Sequence, residues 1–218
     1  TSTWADSITG TNVEFEALGP KNIGGRSLCI AFDPINSFTI YVGSASGGLW
    51  KSTSLGIGTD AWEQVDIDFP VLGVAAIAIH PNNPSVIYIG TGEVYNFTDA
   101  SIGNINRLTR GTYGIGILKS EDGGNTWSKS LDWELDDFTG VQDIMIHPTN
   151  ANIVFAATTE GLYRSQNAGD SWELVNDIKM AIDIEIDPQN PNNIFVTYGS
   201  LFSPTNGIYR STDGGDNF

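Results

Sequence analysis

The sequence predicts an all-β protein built from four-stranded antiparallel sheets repeated along the chain. Three observations lead there. Four segments share one grammar: IAFDPINSFTIYVG before GLWKS, IAIHPNNPSVIYIG before GILKS, IMIHPTNANIVFAA before GLYRS, and IEIDPQNPNNIFVT before GIYRS. Gly (25) and Pro (9) are spread through the 218 residues rather than gathered in a linker, the punctuation that many short strands need. A second signature, Ser-x-Asp/Asn-x-Gly-x-x-Trp/Phe, follows three of the four segments.

Each repeat opens with an apolar run, strand A, closed by Asp33-Pro34, His80-Pro81, His147-Pro148 or Asp187-Pro188. Proline cannot donate to a sheet ladder, so the strand ends there. An Asn-rich turn follows, then a second apolar run, strand B. Strand C ends in Lys or Arg before Ser52, Ser120, Ser165 and Ser211, which are 68, 45 and 46 residues apart. The long spacing has a local cause: 23 residues (91–113) separate strands B and C of repeat two, against 4, 3 and 9 in repeats one, three and four. Strand D comes last, at Trp62-Glu-Gln-Val, Trp127-Ser-Lys-Ser and Trp172-Glu-Leu-Val. The units run approximately 27–66, 73–131, 140–176 and 180–218 within one domain, 15–218, behind an N-terminal extension, 1–14.

The signature between strands C and D is Ser120, Asp122, Gly124, Trp127; then Ser165, Asn167, Gly169, Trp172; then Ser211, Asp213, Gly215, Phe218. A short carboxylate or amide caps the free N–H groups of a tight hairpin, glycine supplies positive φ, and the aromatic anchors the turn. These residues build structure and do no chemistry. Repeat one is degenerate, running Ser52-Thr-Ser54-Leu-Gly56.

Ten Lys+Arg against 26 Asp+Glu leave a net charge of −16, which repels nucleic acid and anionic lipid. No apolar run approaches the ~18 residues of a membrane span, so no membrane insertion is expected. Cys29 stands alone, which removes disulfides within the chain and Cys-based zinc sites.

Four-stranded units of about 45 residues are the blades of a β-propeller. On these motifs the chain resembles the Asp-box (BNR) propeller superfamily, and most closely its sortilin-type and xyloglucanase-like modules. Leu18-Gly-Pro-Lys-Asn-Ile-Gly-Gly-Arg26, Gly47-Gly48-Leu-Trp50-Lys51-Ser52 and Ile89-Gly-Thr-Gly-Glu93 are similar to Bacteroidetes proteins exported by type IX secretion. The resemblance implies an exported protein, at the cell surface or outside the cell, and a propeller of seven or more blades of which about four are present. Truncation after Phe218 is the expected reason that blade four lacks strand D; closure of a four-bladed ring by Val13–Leu18 is the alternative. The xyloglucanase-like family carries a catalytic aspartate in a T-D-x-G-G turn between strands B and C. Here the matching segment is Ser44-Ala45-Ser46-Gly47-Gly48, with Ala45 in the acid's place.

Propeller geometry puts A–B turns and C–D hairpins on one face, and B–C and D–A loops on the other, where ligands meet. A group that confers activity should occur once, whereas structural groups recur. By that filter His80 and His147, which replace Asp33 and Asp187, are turn residues, and Lys51, Lys119, Arg164 and Arg210 share one position. Ligand-binding candidates are Arg26, which stands where other repeats have Gly73, Gly140 and Met180; Glu93, Tyr95, Asn96, Arg107 and Arg110 of the long insertion; Trp133 beside Asp132, Glu134, Asp136 and Asp137; and Tyr198 and Phe202. Such cations, aromatics and amides suit a glycan or a protein segment. No catalytic residue, metal ligand or cofactor is assigned; calcium at the acidic cluster is an open alternative. The expectation leans to a non-catalytic recognition or scaffold module. Its alternative is a glycoside hydrolase of xyloglucanase or sialidase type using loop carboxylates.

Overall fold

The computed structural model describes residues 26–70, 73–100, 104–109, 111–200 and 204–218. The expected N-terminal extension and Val13–Leu18 therefore lie outside the described residues. Four antiparallel sheets follow one another as blades of a partial β-propeller. Blade one pairs β1 (Ser27–Phe32), β2 (Ile40–Ser44), β3 (Leu49–Ser52) and β4 (Glu63–Val65) in that order. Blade two contains β5 (Val74–Ile79), β6 (Ile87–Thr91), then β9 (Gly116–Ser120) and β10 (Ser128–Asp132). Between β6 and β9 a separate hairpin, β7 (Val94–Ala100) with β8 (Asn104–Thr109), projects from the blade. The sequence reading treats this stretch as a loop. Its alternating β-branched and aromatic residues, Val94, Tyr95, Phe97 and Thr98, favour the ladder that forms instead.

Blade three is β11 (Val141–Ile146), β12 (Val154–Thr158), β13 (Gly161–Ser165) and β14 (Glu173–Asn176). Blade four is β15 (Ala181–Ile186), β16 (Ile194–Tyr198) and β17 (Gly207–Ser211). A 3-10 turn, Leu135–Asp137, interrupts the connection from blade two to three. No helix of the described residues is long and apolar enough to cross a membrane.

Strands A and B slip register at the same place in every blade, between Ser27 and Cys29, Val74 and Ala76, Val141 and Asp143, and Ala181 and Asp183. A bulge adds local twist, and in the first three blades it aims positions 29, 76 and 143 at the following blade. Three apolar cores fill the spaces between blades. Tyr41, Leu49, Ile87 and Ile89 close the first, Tyr88, Ile117, Ile144 and Val154 the second, and Phe155, Leu162, Ile184 and Ile194 the third. Alternation explains the sharing: along strand B, Ile87 and Ile89 face backward while Tyr88 faces forward.

The two faces sort as the blade geometry requires. Each C–D hairpin donates a backbone N–H to the A–B turn of its own blade: Leu55 to Phe38 O, Gly123 to Ser85 O, Ala168 to Asn152 O, Gly214 to Asn192 O. On the opposite face the residue after strand B donates to the residue before strand A: Ala45 to Arg26 O, Gly92 to Gly73 O, Thr159 to Gly140 O, Gly199 to Met180 O. The second series is the alignment that makes Arg26 unique among Gly73, Gly140 and Met180.

Candidate functional site

The hairpin face is occupied by its own hydrogen bonds. Ser120, Ser165 and Ser211 Oγ accept N–H from Gly124, Gly169 and Gly215 at 2.9, 2.8 and 2.9 Å. Asp122 Oδ1 takes N–H from Asn125 and Thr126, and Asp213 Oδ1 takes N–H from Asp216 and Asn217. Hydrogen bonds to the charged form hold both carboxyls well below the usual range, at about 2; the hydroxyl of Thr126 contributes most for Asp122, the amide of Asn217 most for Asp213. The glycines have φ of 91°, 86° and 92°. Degenerate repeat one keeps the serine half, with Ser52 Oγ accepting Gly56 N–H at 2.8 Å. The serine's part as acceptor is absent from the sequence reading, although its invariance across all four repeats pointed to it. His80 and His147 Nδ1 accept turn N–H groups as the carboxylates of Asp33 and Asp187 do.

The loop face between blades one and two is different. Arg26 enters from the start of blade one and Glu93 from the end of strand B in blade two, and they form a bidentate pair. Nη2 donates to Oε2 at 2.6 Å, and Nη1 donates to Oε1. Glu93 is 8% exposed, whereas the Arg26 side chain is about half exposed. Guanidinium and carboxylate planes match in this fork, which fixes both groups. The pairing raises the already high Arg26 pKa, chiefly through the hydrogen bond to Glu93. Around the pair the backbone comes close: a Cβ on Gly111 would stand 2.5 Å from Ala45 O and 3.0 Å from Glu93 Oε2. The Glu93 carboxylate thus lies beside Ala45. Glu93 N–H donates to Thr112 O at 2.8 Å, and Gln142 of blade three donates to Val94 O, so the root of the β7–β8 hairpin is tied to its own blade and the next.

Among the B–C and D–A loops of blade one, on the same face, an open cleft of about 640 Å³ is lined by Gly48, Gln64, Asp66, Asp68, Phe69 and Pro70. An amide, two carboxylates and an aromatic suit sugar hydroxyls and a sugar ring face. The filter for unique residues missed it because each of these types is common when read singly.

The other candidates fall in several places. Tyr95 is exposed on β7. Asn96 lies on β7 and Arg107 on β8, while Arg110 and Phe202 lie outside the described residues. Trp133 packs edge-on against Tyr163 at 5.7 Å, partly buried in the core between blades two and three. Tyr198 is in the core between blades three and four, 3% exposed, edge-on to Tyr209 at 5.1 Å. Burial raises its phenol pKa. In the acidic connection Asp132 pairs with Lys129, and Asp137 Oδ2 accepts the Glu134 N–H at 2.9 Å. No group of three or more His, Cys, Asp or Glu among the described residues is placed to hold a metal ion.

No family model matches the sequence. Among curated proteins the chain is similar to a xyloglucanase of Acetivibrio thermocellus, 28% identical over 220 residues, covering 89% of this chain and 25% of that enzyme. It is also similar to a xyloglucanase of Hypocrea jecorina, 24% identical, covering 84% of the chain and 23% of the enzyme. The chain therefore spans about a quarter of the length of these relatives. Among solved structures, an ancestral GH74 enzyme superposes with a TM-score of 0.64 at 23% identity, over 92% of this chain and 24% of that one. The Niastella koreensis GH74 enzyme gives 0.62 at 23%, over 89% and 29%. These structures share the fold. The expectation that leaned away from catalysis is overturned by the relatives, which are enzymes named for glycan hydrolysis.

Proposed function

We propose that this chain is part of a glycoside hydrolase propeller acting on a polysaccharide of the xyloglucan class, and that the loop face of blades one and two contributes to its site. The observation that carries the reading is the Glu93 carboxylate, fixed by Arg26 and lying beside Ala45. Ala45 stands where the resemblance implies an aspartate, and a neighbouring blade brings an acidic group close to the same turn. A carboxylate already receiving two guanidinium hydrogen bonds is an acceptor. It takes the base or nucleophile side of a two-carboxylate hydrolysis, and the acid comes from elsewhere in the polypeptide. The cleft at Gln64, Asp66, Asp68 and Phe69 adds sugar contacts on the same face. Residues 15–218 belong to one propeller domain in this reading, the hairpins are of the Asp-box kind, and the protein works outside the cell.

The test is reducing-sugar release from xyloglucan by the longer polypeptide containing this chain. Glu93→Gln should lower kcat by about 10²–10⁴-fold, the usual share of a positioned acid–base group. Undiminished turnover in a folded Glu93→Gln protein overturns the assignment.

A further inference from the structure

Besides the ion pair, the loop face carries an aromatic pair, Tyr113 and Phe138, that the site described above does not use. Tyr113 closes the 91–113 insertion that the other repeats lack, and Phe138 lies in the connection from blade two to three. Backbone hydrogen bonds link both to Glu93. Thr112 O accepts the Glu93 N–H at 2.8 Å, and Gly114 N–H donates to Thr139 O at 2.7 Å. Tyr113 therefore stands between the residue bonded to Glu93 and the residue bonded to the neighbour of Phe138. The two rings meet edge-on, with centroids 5.0 Å apart and planes at 71°.

The core does not hold Phe138 in place. It is 47% exposed, whereas Phe69 in the preceding connection packs on the core between blades one and two. The Phe138 backbone is left-handed, with φ 56° and ψ 34°, a conformation that suits glycine and is an outlier for a bulky side chain. The turn before it imposes that conformation. Phe138 N–H donates to Leu135 O at 3.2 Å, and the side chains of Glu134 and Asp137 each cap the other's backbone. On the other side Thr139 is buried, and Gly140 abuts Val94. Strain of this kind persists where a ligand uses the group. An aromatic face carries partial negative charge and receives the axial C–H groups of a sugar ring, while the exposed Glu134 carboxylate at the same turn accepts from hydroxyls. Given the glycan-cleaving role proposed for this face, we infer that Tyr113 and Phe138 form a platform for one sugar ring of the polysaccharide, and that stacking there sets the register of the polysaccharide against Glu93. Because the ring is fixed before the ligand arrives, little ordering entropy opposes the stacking.

Affinity electrophoresis in native gels containing soluble xyloglucan, run on the longer polypeptide that includes this chain, reads binding without turnover. Phe138→Ala should raise Kd by about tenfold or more. Phe138→Tyr keeps the ring and should bind within about twofold of the native protein, whereas Phe138→Leu keeps apolar bulk without a π face and should bind as weakly as Phe138→Ala. Phe138→Gly suits the left-handed backbone, so it should hold Tm within a few degrees of native and still lose binding. In reducing-sugar assays Phe138→Ala should raise KM about tenfold and change kcat by less than about threefold. Unchanged retardation in Phe138→Ala overturns the platform, and so does native-like retardation in Phe138→Leu, because the surface is then a general apolar contact. The two readings separate cleanly. A polypeptide that releases no sugar but loses retardation with Phe138→Ala contradicts the hydrolase and keeps the platform; turnover lost in Glu93→Gln with Phe138→Ala indifferent in Kd and KM does the reverse.

Discussion

Asp143 joins one blade to the next through its carboxylate, which accepts N–H from Ile184 across the interface and from Ile144 on its own strand. Burial outweighs these bonds and pushes the carboxyl up to about 6. The folded state thus binds this proton more tightly than the unfolded chain, where a carboxyl titrates near ~4. The stabilisation is full below about pH 4 and is lost as pH rises through about 6. Two units correspond to at most about 3 kcal/mol. Asp143→Asn should therefore gain stability relative to the native protein between pH 4 and 7 in urea melts; a difference that is flat over that range contradicts the burial argument. The sequence placed Asp143 and Asp183 at equivalent positions but held no sign that one is partly buried against a neighbouring blade and the other exposed. That distinction depends on what packs against each blade, which lies outside the local sequence. Arg26 and Glu93 were each legible as unique residues, whereas their pairing across 67 positions was not.

Single elements were read with more success, because their signals are local. Strands A, B and C follow from apolar alternation and Pro-ended runs, and the C–D hairpins follow from Ser, Asp and Gly at fixed spacing. The β7–β8 hairpin was missed because a long polar insertion reads as a loop when only turn residues are weighed, and its β-branched content was passed over. The C–D hairpins make a stability prediction. Gly169 has φ of 86°, and a Cβ there would sit 2.7 Å from Ser130 Oγ and 2.9 Å from Tyr88. Gly169→Ala combines a left-handed backbone with overpacking and should cost about 2–4 kcal/mol, lowering Tm by several degrees. Gly123 also has positive φ but nothing within 4 Å, so Gly123→Ala should cost only about 1 kcal/mol. Equal Tm changes for the two variants would remove close packing as the cause.

At the scale of the molecule, repetition divides the labour. Contacts present in every blade build the ring, and the groups present once, Arg26 and Glu93 above all, lie together on the face opposite the hairpins. Repeat count and blade order were legible because each blade restates the same grammar. The enzymatic reading was legible only as the alternative: the sequence shows Ala45 where an acid was sought, and the nearness of Glu93 to that turn depends on two blades coming together. The decisive measurement compares turnover per folded molecule with Tm for two variants of the longer polypeptide, one on each face. Glu93→Gln should abolish most xyloglucan hydrolysis with Tm within a few degrees of native, since the amide keeps the side chain's shape and an oxygen that accepts from Arg26, whose own side chain is about half exposed. Asp122→Ala, which removes the hairpin cap at Asn125 and Thr126, should lower Tm and leave kcat unchanged. The reverse pattern, with activity following Asp122 and indifferent to Glu93, would contradict this division.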